Sequence, residues 1–224
     1  MNIVITGAGK GIGFELSKLF AENNHNTIAI SRNIDELKKI ESPFLKPLSF
    51  DLSLNNYSPL FEFTENGLGK IDILVNNAGL LINKNFRDIT DTDFDNVFNT
   101  NVKAVFKLTQ ILLPIFNKGS HIVNISSMGG VQGSSKFPGL SIYSASKGAV
   151  SILTECLAEE LKEEQIRVNA LALGAVQTEM LENAFPGFKA PLSASKMAKY
   201  IYEFALTGHN YYNGKVLTVS STTP

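Results

Sequence analysis

Short apolar runs and helical stripes alternate along the chain. Ile3-Val4-Ile5, Thr27-Ile28-Ala29-Ile30, Ile71-Asp72-Ile73-Leu74-Val75, His121-Ile122-Val123-Asn124-Ile125, Ile166-Arg167-Val168-Asn169-Ala170 and Val216-Leu217-Thr218-Val219 are β-branched and mostly apolar at consecutive positions. Continuous apolarity, in place of strict alternation, marks strands buried on both faces. Helical spacing occupies 12–23, 34–40, 55–66, 91–117, 143–164 and 193–206, and a further short strand is expected near 45–50. This succession predicts one α/β domain over residues 1–224, a doubly wound parallel sheet of about seven strands with helices on both faces.

Composition agrees with a globular reading: 224 residues are 44% hydrophobic and 18% charged. A net charge of −1 with scattered Lys and Arg lacks the basic footprint of a nucleic-acid binder or a membrane-surface protein. Cys156 is the single cysteine, which rules out an internal disulfide and, within a helical stripe, reads as a small core residue. His25, His121 and His209 lack ligand spacing, so no metal site is expected. With a strand at Ile3 and no run near the ~20 residues of a membrane span, the expected location is cytoplasmic.

Ligands of such sheets bind beyond the carboxyl ends of the strands. After the first strand, Thr6-Gly7-Ala8-Gly9-Lys10-Gly11-Ile12-Gly13 opens directly into a helix, either as a plain turn or as a cradle whose free N–H groups hold a pyrophosphate. The second strand ends at Ser31-Arg32-Asn33, without the carboxylate that would bind a ribose 2′-OH. Lys10 and Arg32 are instead expected to converge on a 2′-phosphate, favouring NADP(H) over NAD(H), the alternative being solvated surface charge. Asp35 and Glu36 read as first-turn helix residues.

Tyr143 and Lys147 stand four residues apart at the start of a helical stripe, so both side chains share a face. The ammonium is expected to lower the phenol pKa toward neutrality and suit it to proton transfer. Tyr211 and Lys215 repeat the spacing across an Asn213-Gly214 turn, where the side chains need not meet. Spacing alone therefore decides nothing.

Taken together, Thr-Gly-x-x-x-Gly-x-Gly at residues 6–13, Asn76-Asn77-Ala78-Gly79, a serine after the fifth strand and Tyr-x-x-x-Lys at 143–147 resemble the short-chain dehydrogenase/reductase family, in its order. The likeness runs from Ile3 to Thr178 and resumes more weakly to Val219. It implies a Rossmann-type fold. The resemblance assigns Asn101, Ser127, Tyr143 and Lys147 as the catalytic set. Asn101 would order a relay water, Ser127 would bind the substrate oxygen, and Tyr143 would exchange the proton. Lys147 would hold the nicotinamide ribose and keep the tyrosine acidic. Around the cofactor it implies Gly7, Gly9, Lys10, Gly11, Ile12, Gly13, Arg32, Asp51, Leu52, Asn77, Ala78, Gly79, Val176 and Thr178, together with Tyr143 and Lys147. Asn99 competes with Asn101, and Ser126 reads as structural.

The implied activity is hydride transfer between NADP(H) and a small carbonyl or alcohol, with 3-oxoacyl thioesters among the ketones. A homodimer or homotetramer is implied by analogy. A dinucleotide-binding sensor or scaffold without turnover is the alternative reading. Several stretches depart from the family pattern. Leu173 replaces the usual proline and is expected to loosen the turn beside the nicotinamide. Ser134-Ser135-Lys136 is a short insertion, and the lid from Glu179 to Leu192 is short. In the lid Phe185, Pro186 and Phe188 either meet an apolar substrate or pack the lid down. The end, Ser220-Ser221-Thr222-Thr223-Pro224, lacks Asp-Gly-Gly.

Overall fold

The computed structural model describes residues 1–221, so Thr222, Thr223 and Pro224 of the unusual chain end lie outside the described residues. The strands are β1 (Asn2–Thr6), β2 (Asn26–Ser31), β3 (Leu45–Ser49), β4 (Ile71–Asn76), β5 (Phe116–Ser127), β6 (Arg167–Leu173), β7 (Val176–Gln177), β8 (Leu192–Ser193) and β9 (Val216–Val219). Seven form a sheet in the order β3-β2-β1-β4-β5-β6-β9, and β7 pairs with β8 separately. Every pairing in the large sheet is parallel. The order reverses between β1 and β4, which opens a crevice at their carboxyl ends.

The helices are α1 (Gly11–Glu22), α2 (Asp35–Lys38), α3 (Ser58–Leu68), α4 (Asp91–Phe98), α5 (Ala104–Leu112), α6 (Ser141–Glu160), α7 (Glu179–Ala184) and α8 (Ala194–Thr207). One face of the sheet is sealed by Leu16 and Phe20 of α1 with Met197, Ile201 and Phe204 of α8. The other packs under Leu60 of α3, Leu108 and Leu112 of α5, and Ala158 of α6. Both faces are therefore dry, which is what the continuous apolar runs required.

The expected helix over 91–117 is interrupted. A π-helical turn occupies Asn99–Lys103, and a 3-10 turn at Leu113–Ile115 carries Pro114, after which the chain enters β5 at Phe116. Proline cannot supply the helical N–H, so the helix stops there. The β5 strand starts before His121 because Ile71 pairs with Phe116 and Ile73 with His121, a register shift that leaves residues 117–120 bulged opposite Asp72. Helix α2 is also shorter than its stripe, though Asp35 and Glu36 occupy its first turn as expected. Helix α7 and the β7–β8 pair are too short to leave a periodic signal.

Cys156 is exposed, not a core residue. The buried stripe of α6 runs through Val150, Thr154 and Ala158. Cys156 lies one turn beyond Ile152, itself 60% exposed, on the outward face.

Candidate active site

The crevice floor is built by Thr6, at the last position of β1. Its Oγ1 accepts from the backbone N–H groups of Asn77 and Ala78, both at 3.0 Å. The Asn77 side-chain amide returns the tie, donating to the Thr6 carbonyl at 3.0 Å and the Gly7 carbonyl at 3.2 Å. Asn77 thus acts first as a clip between the glycine loop and β4. Within the glycine loop Gly13 makes the closest approach: a Cβ there would stand 2.3 Å from the Gly7 carbonyl oxygen. Lys10, the N-cap of α1, supplies no side-chain cap, and the first turn of α1 holds no acidic residue. The leading N–H groups of α1 are therefore left to an anion, and the loop fits the pyrophosphate of a dinucleotide.

Near the tip of β2, the Lys10 side chain has an acidic partner on the other side of the crevice. Lys10 Nζ reaches across to Glu179 Oε1 of α7 at 2.5 Å, an exposed ion pair. Arg32 is exposed and its charge favours ionised Asp51. Asp51 is held below the usual carboxylate range mainly by the Ser53 backbone N–H, which donates to it at 2.9 Å. Leu52 contributes its carbonyl to the Tyr57 hydroxyl at 2.6 Å.

Asn101 lies in the π turn and is fully buried. Its Oδ1 accepts from Leu80 N at 2.7 Å, and its Nδ2 donates to Leu80 O at 3.0 Å and Ser146 Oγ at 2.9 Å. Lys147, only 4% exposed, donates from Nζ to the Ile125 carbonyl at 2.8 Å. Gly79 faces both: a Cβ there would lie 3.5 Å from Lys147 Nζ and 3.6 Å from Asn101 Oδ1, so its missing side chain opens the space between them. Ser126 is structural, bonded to the Lys147 carbonyl at 2.9 Å and to Ser151 Oγ at 3.0 Å. Ser127, by contrast, turns its hydroxyl toward Tyr143 and accepts from Gly129 N at 3.2 Å.

The proximity of Tyr143 and Lys147 is as expected, but its electrostatic consequence is not. Lys147 Nζ sits over the Tyr143 ring, 5.9 Å from its centroid. Burial pushes the Tyr143 phenol up, and the Ser127 hydroxyl opposes this. Burial also pushes Lys147 down to about 8. The phenol is therefore protonated at neutral pH, and the Ser127 hydroxyl eases its ionisation.

Beyond β6, Val176 is buried in β7, and Thr178 caps α7 by accepting from Leu181 N at 3.3 Å. Thr178 also borders the glycine loop, since a Cβ on Gly11 would lie 3.4 Å from its Cγ2. Leu173 is 7% exposed and pairs with both Ser127 and Val219. The inserted Ser134 folds back onto the carbonyls of Met128 (2.5 Å) and Val131 (2.9 Å). Asn83 donates to Ala184 O at 2.8 Å, and Lys84 N donates to Gly139 O at 3.0 Å. The lid and the loop before α6 are thereby joined at the substrate side. Phe185 is half-buried, while Phe188 is 48% exposed.

Sequence reasoning missed the buried polar network under the site. Asn76 Nδ2 donates to Asn124 Oδ1 at 2.8 Å, and Asn124 Nδ2 donates to Thr154 Oγ1 at 2.9 Å, linking β4, β5 and α6. Asparagines inside apolar strand runs were the available signal, because a buried amide requires partners. Tyr211, the decoy, is 79% exposed and lies outside this cluster. Among the described residues no group of three or more His, Cys, Asp or Glu side chains is placed to hold a metal ion, and no helix is long and apolar enough to cross a membrane.

A dinucleotide crevice beside a Ser, Tyr and Lys cluster defines a nicotinamide-dependent oxidoreductase site. The family model for short chain dehydrogenases matches residues 1–188, and the chain belongs to that family. Carbonyl reductase (NADPH) 2 of Sus scrofa is 36% identical over 188 residues, covering 80% of this chain and 73% of the relative. The 3-oxoacyl-acyl-carrier-protein reductase FabG of Thermotoga maritima is 38% identical over 188 residues, covering 80% and 75%. The crystal structure of a 3-ketoacyl-acyl-carrier-protein reductase from Brucella melitensis complexed with NADH superposes with a TM-score of 0.90 at 27% identity, covering 99% of this chain and 97% of that one.

Proposed function

We propose that the chain is an NADP(H)-dependent oxidoreductase acting on a small carbonyl or alcohol, assembled as a homodimer or homotetramer. The observation that carries this reading is the gathering of Asn101, Ser127, Tyr143 and Lys147 on one side of the crevice, with Gly79 leaving space between Asn101 and Lys147. A bound nicotinamide supplies or accepts the hydride. The glycine loop and the first turn of α1 hold the phosphates, while Val176 and Thr178 border the nicotinamide end. Ser127 donates to the substrate oxygen and stabilises its developing charge. Tyr143 delivers the proton to that oxygen in reduction and removes it in oxidation. Lys147, positive at neutral pH, stabilises the tyrosinate left behind, and Asn101 holds the water that returns the proton.

The cofactor preference is supported by the absence of a carboxylate at Ser31-Arg32-Asn33 and by the cations Lys10 and Arg32. The Sus scrofa relative is named for NADPH, whereas the Brucella melitensis structure holds NADH, so the preference needs a direct comparison. A 3-oxoacyl thioester is the first ketone class to test, by the name of the Thermotoga maritima relative.

The experiment is NADPH oxidation against a panel of 3-oxoacyl thioesters, ketones and aldehydes, with Tyr143→Phe as control. Turnover that vanishes in the variant supports the mechanism. Cofactor binding without turnover on every substrate favours a sensor or scaffold, and full activity in Tyr143→Phe overturns the assigned proton donor.

A further inference from the structure

Lys10 and Glu179 are 169 residues apart in sequence and lie on opposite banks of the cofactor crevice. Lys10 caps α1 in the glycine loop, and Glu179 is the first residue of α7, directly after Thr178. Their side chains meet at 2.5 Å although each is about 60% exposed and free to point elsewhere (62% and 59%). The approach is not an isolated contact, because Thr178 and Gly11 also adjoin beneath it. No other acidic side chain is paired with Lys10 among the described residues.

We propose that Glu179 is a cofactor-specificity residue that acts by competition: its carboxylate pairs with Lys10, and the 2′-phosphate of NADP(H) must take Lys10 from it. This rests on the NADP(H) reading above and deepens it. Two anions cannot both hold a compact ammonium at hydrogen-bond distance, and a phosphate near neutral pH carries more charge than a carboxylate. The exchange therefore proceeds, but with part of its gain already spent on breaking the Lys10–Glu179 pair. NAD(H) has no group to make that exchange and leaves the pair standing. The device thus lowers the margin between the two cofactors below what Lys10 and Arg32 alone would set. It also links cofactor choice to the lid. Once Glu179 is released, α7 loses its ion pair to the glycine loop, while Asn83 still holds Ala184 at the far end.

Dissociation constants for NADPH and NADH, from nucleotide fluorescence at low and at high ionic strength, test this in wild type, Glu179→Gln, Lys10→Ala and the double variant. Glu179→Gln is expected to tighten NADPH by roughly two- to fivefold at low salt, the size of one exposed ion pair, and to leave NADH unchanged. The gain shrinks at high salt. In the Lys10→Ala background the Glu179→Gln change has no further effect. Weaker NADPH binding in Glu179→Gln, no change, or an equal gain for both nucleotides overturns the inference. If Lys10→Ala weakens NADPH while Glu179→Gln fails to tighten it, the NADP(H) reading stands and only the competition falls. If neither Lys10→Ala nor Arg32→Ala affects NADPH and wild type prefers NADH, both fall together.

Discussion

The Asn101 amide and the Ser146 hydroxyl meet at 2.9 Å, fastening the π turn between α4 and α5 to the first turns of α6. Ser146 in turn donates to the Tyr143 carbonyl at 2.7 Å. The backbone that carries the proposed proton donor is therefore bonded, through one hydroxyl, to the proposed relay residue.

Replacing Asn101 by Leu strips partners from Leu80 N, Leu80 O and Ser146 at a buried position. The expected loss is about 2–3 kcal/mol of stability in urea unfolding, because buried polar groups are left unmatched. Ser146→Ala removes one donor and one acceptor and should cost about 1 kcal/mol. Equal losses for the two variants would show that the Leu80 bonds contribute nothing.

Tyr143→Phe keeps the ring and its packing but removes the transferable proton. Turnover should fall roughly 10²–10⁴-fold with NADPH affinity unchanged. Lys147→Met should abolish turnover yet raise stability at pH 7 by about 1–2 kcal/mol. It removes a buried ammonium whose pKa is pushed from 10.5 to about 8, offset by the unpaired Ile125 carbonyl. A destabilised Lys147→Met in thermal unfolding would mean that the hydrogen bond outweighs the burial of charge.

Two glycines separate folding from function. Gly13→Ala drives a methyl to 2.3 Å from a backbone oxygen, and neither group can swing aside, so soluble yield and nucleotide binding should both collapse. Gly79→Ala places its methyl at ordinary contact distance, 3.5 Å from Lys147 Nζ. Stability should stay within about 0.5 kcal/mol of wild type while turnover drops, since the methyl takes up space between Lys147 and Asn101. Normal turnover in Gly79→Ala would remove that space from the proposed proton path.

What could be read in the sequence follows from what each signal averages over. The strands β1, β2, β4 and β6 announce themselves because burial on both faces keeps their runs mostly apolar, with few polar interruptions such as Asp72 and Asn169. The tip residues were legible for the same reason: once the strands are placed, Gly7, Asn77, Ser127 and Thr178 must lie at their carboxyl ends. The π turn within the expected 91–117 helix was not legible, because Val97, Asn101 and Val105 keep helical spacing across a backbone change that depends on Asn101 finding Leu80. Nor was the direction taken by Lys10. Adjacency to a glycine loop fixes where its backbone lies, but Glu179, on the other bank, determines where its charge goes.

His121 offers a pH test of the fold far from this chemistry. It is 1% exposed, and its Nδ1 donates to Ala205 O at 3.0 Å while Nε2 accepts from Asn169 Nδ2 at 3.0 Å. A second proton on Nε2 would set N–H against N–H. Asn169 is unable to turn its oxygen over without abandoning Lys215 N, which donates to Oδ1 at 3.1 Å. Burial lowers the His121 pKa to about 4, the Ala205 carbonyl pulls it up, and the neighbouring His209 adds to the lowering. Around His209 itself, burial and the Arg167 charge also disfavour a proton. Between a folded pKa near 4 and an unfolded value near 6.5, the unfolded chain binds the extra proton. The stabilisation is therefore complete above pH 6.5 and is lost progressively as pH falls toward 4, by about 3 kcal/mol in all. Urea midpoints for wild type should fall between pH 7 and pH 5. His121→Gln, which has no titrating group there, should begin lower at pH 7 but fall less steeply. Parallel pH slopes for the two proteins would assign the acid sensitivity to other groups.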